Sequence, residues 1–316
     1  MLPSISITTP SYNQGQFLAK TIESVLSQDY PALEYQILDG GSTDDTVDII
    51  RRYAHRLAYF TSRPDHGQSD AVNRGWMRSS GEVISWLNSD DYLLPGALDI
   101  IAKEFHTDPN LVALIGTCLI ANGDGEIVGN KYARTLDLQR LITTSGGVPG
   151  QPAVFLRRSI LDEIGYLDTH LHYTMDWEYW IRVALRYHPK RIKVLYDPLA
   201  VLRVWEGTKT LNGVSLICDE HRKVLKRIFA SGSLPLDIQI RHAEAQAGTY
   251  WKQADLEWQS GMVAASRQSA RRAAELAPTR HTSRRLGVFL LSTLFSHTIW
   301  NKMKLIKLHW QRWMGT

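Results

Sequence analysis

Cysteine is nearly absent. Cys118 and Cys218 are the only two, they stand far apart, and their spacing matches no metal-ligand pattern. The chain is therefore not organised by disulfides or a structural zinc, and two buried or free thiols suit a reducing compartment. Long apolar runs are also lacking, since no stretch reaches the ~18–20 residues a membrane-spanning helix needs. No secretory leader is expected, because Ser4 to Pro10 already reads as a strand. The phosphate-cradling signatures are missing too, with neither Gly-Lys-Ser/Thr nor G-x-G-x-x-G in place. Charge is not of one sign: 36 Lys+Arg stand against 32 Asp+Glu over 316 residues. It is unevenly spread, however. From Arg241 onward there are 12 basic against 4 acidic residues, and before it 24 against 28. A basic tail behind a mildly acidic body suggests that the tail meets something anionic.

What is present is an alternation of strand and helix patterns. Ser4 to Thr9 alternates as a first strand, and Phe17, Leu18, Ile22, Val25 and Leu26 fall on one helical face. Leu33 to Leu38 is a second strand, followed by Asp39-Gly40-Gly41-Ser42-Thr43-Asp44-Asp45 and a helix. Ser42 and Asp45 have the spacing of a capping box. Ala58 to Thr61 is a short third strand, and the polar loop Asp65 to Gly75 enters another helix. Val83 to Leu87 is apolar and β-branched, a buried strand that stops at Asn88-Ser89-Asp90-Asp91. Pro95 suits a first helical residue, which opens a helix to Phe105 before the apolar strand Leu111 to Cys118. This alternation predicts an α/β fold with a parallel sheet covered on both faces.

Ligands in such sheets bind at the carboxyl ends of strands. Adjacent carboxylates at Asp90 and Asp91 repel each other, so keeping both ionised calls for a cation. Oxygen ligands suit Mg²⁺ or Mn²⁺, and helix capping is the plain alternative. Tyr12, in the turn after the first strand, can stack on a nucleobase or simply pack under its loop. Asp39 can accept a hydrogen bond from a base or ribose, beside glycines that let backbone approach a ligand. Gln68, Asn73 and Arg74 can reach a sugar or phosphate, or face solvent.

Thr9-Pro10-Ser11-Tyr12-Asn13, Ile37 to Asp44, Asp65 to Gly75 and Trp86 to Asp91 with Leu93 to Gly96 together resemble a family 2 glycosyltransferase of the GT-A fold, over roughly residues 3 to 210. The resemblance implies a mixed sheet that binds a nucleotide-sugar. Thr9, Pro10, Tyr12, Asp39, Gln68, Asn73, Asn88 and Asp90 would then line the donor, and Asp90 with Asp91 would carry the divalent ion on its diphosphate. Many members have D-x-D at the strand end, and here Asn88 takes the first position.

The acceptor half begins after a Gly- and Pro-rich loop, Thr144 to Pro152. Gln151 leads into a strand, and Trp177, Trp180, Ile181 and Ala184 share one side of a helix with Asp176 at its start. The resemblance makes Asp176 the general base, and Gln151, Trp177 and Glu178 acceptor contacts. Aromatic core packing for the tryptophans and capping for Asp176 remain open on the residues alone. Trp205 stands where the family commonly has His in its closing motif, and Arg203 and Lys209 can neutralise the diphosphate.

The expected organisation is a GT-A domain over 1–212, with a donor half to 118 and an acceptor half from 119, and a helical extension over 213–316. Tyr250, Ala254, Gly261, Ala273 and Pro278 fit one tetratricopeptide-like hairpin, too little for a solenoid. Apolar, basic and Trp residues mix over 287–316, which suits a helix on an anionic membrane surface, or one docked on its own protein. No groove-reading motif accompanies that charge, so nucleic acid is not an expected partner.

The expected activity is inverting transfer from a nucleotide-sugar, UDP-linked in preference to dTDP- or GDP-linked, to a glycan or lipid-linked acceptor. The expected place is cytoplasmic, at the inner face of the membrane. An inactive sugar-nucleotide-binding scaffold and a nucleotidyltransferase are the alternatives.

Overall fold

The computed structural model describes residues 1–144, 148–209 and 213–294. It divides into two compact units. The first is Met1–Leu138 with the described part of Gly147–Thr208; the second comprises the described parts of Gln139–Gly146 and Lys209–Thr316.

The first unit is built on one mixed sheet. Strands β1 (Ile5–Ser11), β2 (Leu33–Asp39), β3 (Tyr59–Ser62) and β4 (Val83–Trp86) form a parallel half in the order β3-β2-β1-β4. Helices α1 (Gly15–Leu26), α2 (Thr46–Tyr53) and α3 (Gln68–Arg78) make the connections. All seven residues of β1 are buried, so the sheet is covered on both faces. Alternation sorts them: Ile5 and Ile7 join the aliphatic cluster with Leu18 and Ile22 of α1, whereas Thr8 lies beside Gly75 of α3. That is the period-2 arrangement the sequence pattern predicts.

Beyond β4 the sheet ceases to be purely parallel. After β5 (Tyr92–Leu93) and α4 (Ala97–Thr107), the long strand β6 (Ala113–Ala121) pairs with β7 (Ile127–Lys131). Helix α5 (Leu138–Thr144) follows, and then β8 (Val154–Arg157), which is antiparallel to both β4 and β6. Helices α6 (Ile160–Ile164) and α7 (Met175–Arg186) precede β9 (Ile192–Arg203), which runs parallel to β6 and antiparallel to β5.

Two local expectations are corrected. Helix α4 starts at Ala97, not Pro95, because Leu94 N–H is tied to Leu199 O at 2.9 Å and Gly96 takes the N-cap position at φ 76°. The Ser42–Asp45 capping box does not form. Ser42 Oγ donates to Asp39 Oδ1 instead, and Asp44 Oδ1 accepts from Thr46 N–H.

The second unit is helical. It contains α8 (Val214–Ala230), α9 (Leu236–Gln239), α10 (His242–Gln259), α11 (Val263–Leu276) and α12 (Arg280–Ser292). α10 and α11 form a hairpin turned at Gly261, φ 77°. Small residues Ala254, Ala270 and Ala273 are fully buried there, while Phe289 of α12 inserts its ring against Trp251 and Trp258. Gly248 lets α5, which from Gln139 onward belongs to this unit, approach α10, since a Cβ there would lie 2.0 Å from Thr143 O. Among the described residues no helix is long and apolar enough to cross a membrane. The basic tail from residue 295 lies outside the described residues.

Candidate active site

The turn that follows β4 is held from several directions. Asn88 is its centre. Its Oδ1 accepts from Gln68 Nε2 at 2.7 Å, and its Nδ2 donates to Asp91 Oδ2 at 3.1 Å and to Gln151 Oε1 at 3.3 Å. Gln151 Nε2 in turn donates to Trp86 O at 2.6 Å. One amide side chain thereby ties the start of α3, the strand end and the entry to β8. The indole N–H of Trp86 has no hydrogen-bond partner among the described residues, and the ring serves as packing material. It stacks on Trp180 at 5.7 Å and meets Trp76 edge-on at 5.4 Å, and Tyr179 completes the cluster. Aromatic side chains of this size bury ~150–250 Å² each, and Tyr179 and Trp180 use part of theirs to seat α7 in this cluster; the gross transfer free energy is about 4–6 kcal/mol apiece. That exceeds the ~1 kcal/mol of a typical cap, and Thr174, the N-cap of α7, makes no side-chain cap hydrogen bond.

The two carboxylates of the turn are not equivalent. Asp91 is 2 % exposed. Its Oδ1 accepts from Arg203 N–H at 2.9 Å while its Oδ2 takes the Asn88 amide. Burial, reinforced by the Asp90 charge, pushes its pKa well above the usual carboxylate range. With both oxygens used inside the protein, Asp91 does not fit the metal-ligand role expected of it. Asp90 is half-buried, and its Oδ2 accepts from the indole Nε1 of Trp205 at 3.0 Å. Among the described residues there is no group of three or more His, Cys, Asp or Glu arranged to hold a metal ion. A single carboxylate still fits Mg²⁺ or Mn²⁺, because these ions need only one or two from the protein when a substrate diphosphate supplies further oxygens. The donor set therefore reduces to Asp90.

Several other expected contacts are spent within the fold. Thr9 is fully buried, with its hydroxyl 3.0 Å from the Tyr35 phenol, and Pro10 is buried in β1. Asn73 clamps the chain at Leu167, donating to its carbonyl at 2.8 Å and accepting from its N–H at 2.9 Å. Asp39 is 1 % exposed; its Oδ2 accepts from Gly41 N–H, Ser42 N–H and Ser62 Oγ. It shapes the glycine loop and presents no open face. Trp177 is buried and offers no surface to a sugar, and Glu178 is buried and paired with Arg182 at 2.9 Å. Arg203 directs Nε to Asp90 O and Nη1 to Gly123 O, with its guanidinium over the Phe17 ring at 4.4 Å. It fastens the acidic turn from below, which corrects the expectation that it faces a diphosphate. Lys209 is exposed and belongs to the other unit.

Besides Asn88, Asp90 and Lys209, three expected residues stay accessible. The Tyr12 ring is 61 % exposed at the end of β1. Gln68 and Asp176 are half-buried. Asp176 lies in the first turn of α7, where the helix dipole favours an ionised carboxylate, and its Oδ1 accepts from Trp177 N–H at 2.7 Å. Sequence reasoning missed the Trp76–Trp86–Trp180–Tyr179 cluster, the Trp205–Asp90 bond and the role of Asn13. Asn13 sits at φ 51°, with its Oδ1 accepting from Thr43 N–H. That bond pins the Tyr12 turn to the Asp39 loop, and the Asn-after-Tyr turn was its one visible signal.

An open sheet with an acidic turn at a strand's carboxyl end has the layout of a ligand-binding α/β domain. The chain belongs to glycosyl transferase family 2, whose pattern matches residues 6–165. It is 34 % identical over 133 residues to the chondroitin synthase of Pasteurella multocida strain Pm70, a match covering 42 % of this chain but only 14 % of that protein's length. In structure it resembles Staphylococcus aureus TarS 1–349 in complex with UDP-GlcNAc, with TM-score 0.63, 18 % identity, and 92 % and 84 % of the two chains covered. It also resembles the mannosyltransferase PcManGT of Pyrobaculum calidifontis in complex with GDP-Man and Mn²⁺, with TM-score 0.63, 16 % identity, and 96 % and 85 % covered. The fold is the GT-A arrangement expected, with a helical C-terminal region.

Proposed function

We propose that this protein is an inverting glycosyltransferase. It moves a sugar from a nucleotide-sugar, a UDP-sugar first among the candidates, to a hydroxyl of a glycan or lipid-linked saccharide in cell-surface polysaccharide assembly. The observation that carries the reading is the turn Asn88 to Asp91. Gln68, Gln151, Arg203 and Trp205 brace it, and of its two carboxylates Asp91 is buried while Asp90 is half-buried. A UDP-GlcNAc complex among the structural neighbours favours UDP, and a GDP-Man complex with Mn²⁺ favours a divalent ion.

Asp176 takes the proton from the acceptor hydroxyl. The hydroxyl oxygen bonds to the anomeric carbon as the bond from that carbon to the phosphate oxygen breaks, its electron pair leaving with the nucleoside diphosphate. A single displacement inverts the anomeric centre and forms no sugar–enzyme bond. Asp90 would hold the divalent cation, which when bound neutralises the departing diphosphate. Tyr12 stacks on the base. The enzyme works at the cytoplasmic face of the membrane, with residues 287–316 as its peripheral contact. Val288, Leu291 and Leu294 are exposed in the described part of that stretch, which suits such a contact.

The deciding experiment is incubation with a panel of nucleotide-sugars, with and without Mn²⁺, and detection of the nucleoside diphosphate released. Release from one donor supports the transferase. Pyrophosphate release from a nucleoside triphosphate would make it a nucleotidyltransferase. Binding without any release would make it the inactive scaffold.

A further inference from the structure

The helical unit contains a groove of about 750 Å³ between α8, α10 and α11. That volume lies within the ~300–1,000 Å³ of small-ligand sites. Two kinds of side chain line it. Phe229 and His242 stand with ring centroids 4.5 Å apart, and Tyr250 adds a third ring. Around them are the cations Arg222, Lys226 and Arg272, and among the described residues no acidic side chain lines the groove. Arg222 is held in place from outside by Asp219 at 2.7 Å and by Gln253 at 3.1 Å. Arg272 is braced by Glu275 at 3.2 Å. Lys226 is exposed and has no ion-pair partner among the described residues.

Flat rings beside fixed guanidinium forks make a specific combination. Ring faces suit the apolar C–H faces of sugars, and the ammonium of Lys226, flanked by Arg222 and Arg272, suits a carboxylate or phosphate. A purely apolar ligand would leave the ammonium of Lys226 without counter-charge. A free inorganic anion would leave most of the aromatic wall uncovered.

We propose that this groove binds an acidic saccharide, a short run of sugars carrying carboxylates or phosphodiesters. Identifying that saccharide with a non-reacting stretch of the acceptor rests on the transferase reading; the binding itself does not.

The test is calorimetric titration of the full chain with three probes: a hyaluronan hexasaccharide, a glycerol-phosphate hexamer and neutral maltohexaose. At least one acidic oligomer should bind, with affinity falling as salt rises, and maltohexaose should not. The exposed substitutions Lys226→Glu and Arg272→Glu, each checked for an unchanged melt, should weaken that binding tenfold or more. Absence of binding by both acidic oligomers, equal binding of maltohexaose, or full affinity in both variants would each overturn the proposal. So would charge-sensitive binding to phosphatidylglycerol vesicles without binding to either oligomer, which would make the groove a lipid contact. Donor hydrolysis is scored separately on the wild-type protein. A chain that binds the acidic oligomer but releases no nucleoside diphosphate would keep the groove and remove the transferase reading.

Discussion

The indole N–H of Trp205 donates to Oδ2 of Asp90 across 3.0 Å, joining residues 115 apart in the chain. A tryptophan cannot ligate a metal, but here it orients the carboxylate that would. Its ring is fixed by the edge of Phe17 at 5.0 Å and by Gly207, where a Cβ would come within 2.0 Å of ring carbon Cη2. Trp205→Phe keeps a ring and removes the donor. A hydrogen bond to a charged acceptor contributes ~1.5–3 kcal/mol, so donor-dependent turnover should fall about tenfold or more. Gly207→Ala should lower turnover in the same direction by displacing the ring. Nucleoside diphosphate release measures both, and wild-type rates in the pair would remove Trp205 from its positioning role.

Asp90 and Asp91 should part company under mutation. Asp90→Ala should abolish the extra affinity that Mn²⁺ gives to binding of the nucleoside diphosphate, with a smaller fall in melting temperature than Asp91→Ala, since it frees only the half-buried Trp205 indole. Asp91→Ala should instead lower the melting temperature, because it leaves Arg203 N–H and the Asn88 amide without their buried acceptor, at ~1–3 kcal/mol per unsatisfied group. Calorimetry with and without the ion, paired with thermal melts, checks both. Metal enhancement that survives in Asp90→Ala would rule Asp90 out as its ligand.

Local pattern made the parallel half legible. Apolar runs at 33–38 and 83–87 and the helical face of Phe17 to Leu26 map onto β2, β4 and α1 with ends shifted by a residue or two. The rest depends on partners distant in sequence. β8 pairs antiparallel with β4, a join that no spacing within either strand encodes. Asn88 reads as a donor contact from its place in the motif, yet its amide meets Gln68 and Gln151, 20 and 63 residues away. Trp177 and Trp180 have one helical spacing and two open readings, and burial decides for core. Asp39 looks open before its glycines, but Ser42 and Ser62 close over it.

Asp176 is the test of the chemistry. Asp176→Asn keeps the shape of the side chain and an oxygen able to accept from Trp177 N–H, while removing the basic oxygen. Positioned bases contribute ~10²–10⁴-fold, so transfer should fall at least a hundredfold with donor affinity intact. Turnover within a few fold of wild type would pass the role of base to another residue.

The helical unit should soften in mild acid. His221 is 4 % exposed, and burial, with the positive charges of Lys252 and Arg222, pushes its pKa down to about 3. In the unfolded chain a histidine titrates near ~6.5. Between those values the unfolded state binds the extra proton, so stability is complete above the unfolded value and is lost as pH falls toward the folded one. The slope from this one group reaches at most about 1.4 kcal/mol per pH unit. Its contribution to unfolding free energy should therefore shrink steadily from pH 6.5 to 4. His221→Gln, which cannot charge, should flatten that part of the profile. Denaturant unfolding of both proteins at pH 7, 6, 5 and 4 makes the comparison. Parallel profiles would mean that His221 does not stay neutral in the fold and that the acid sensitivity lies elsewhere.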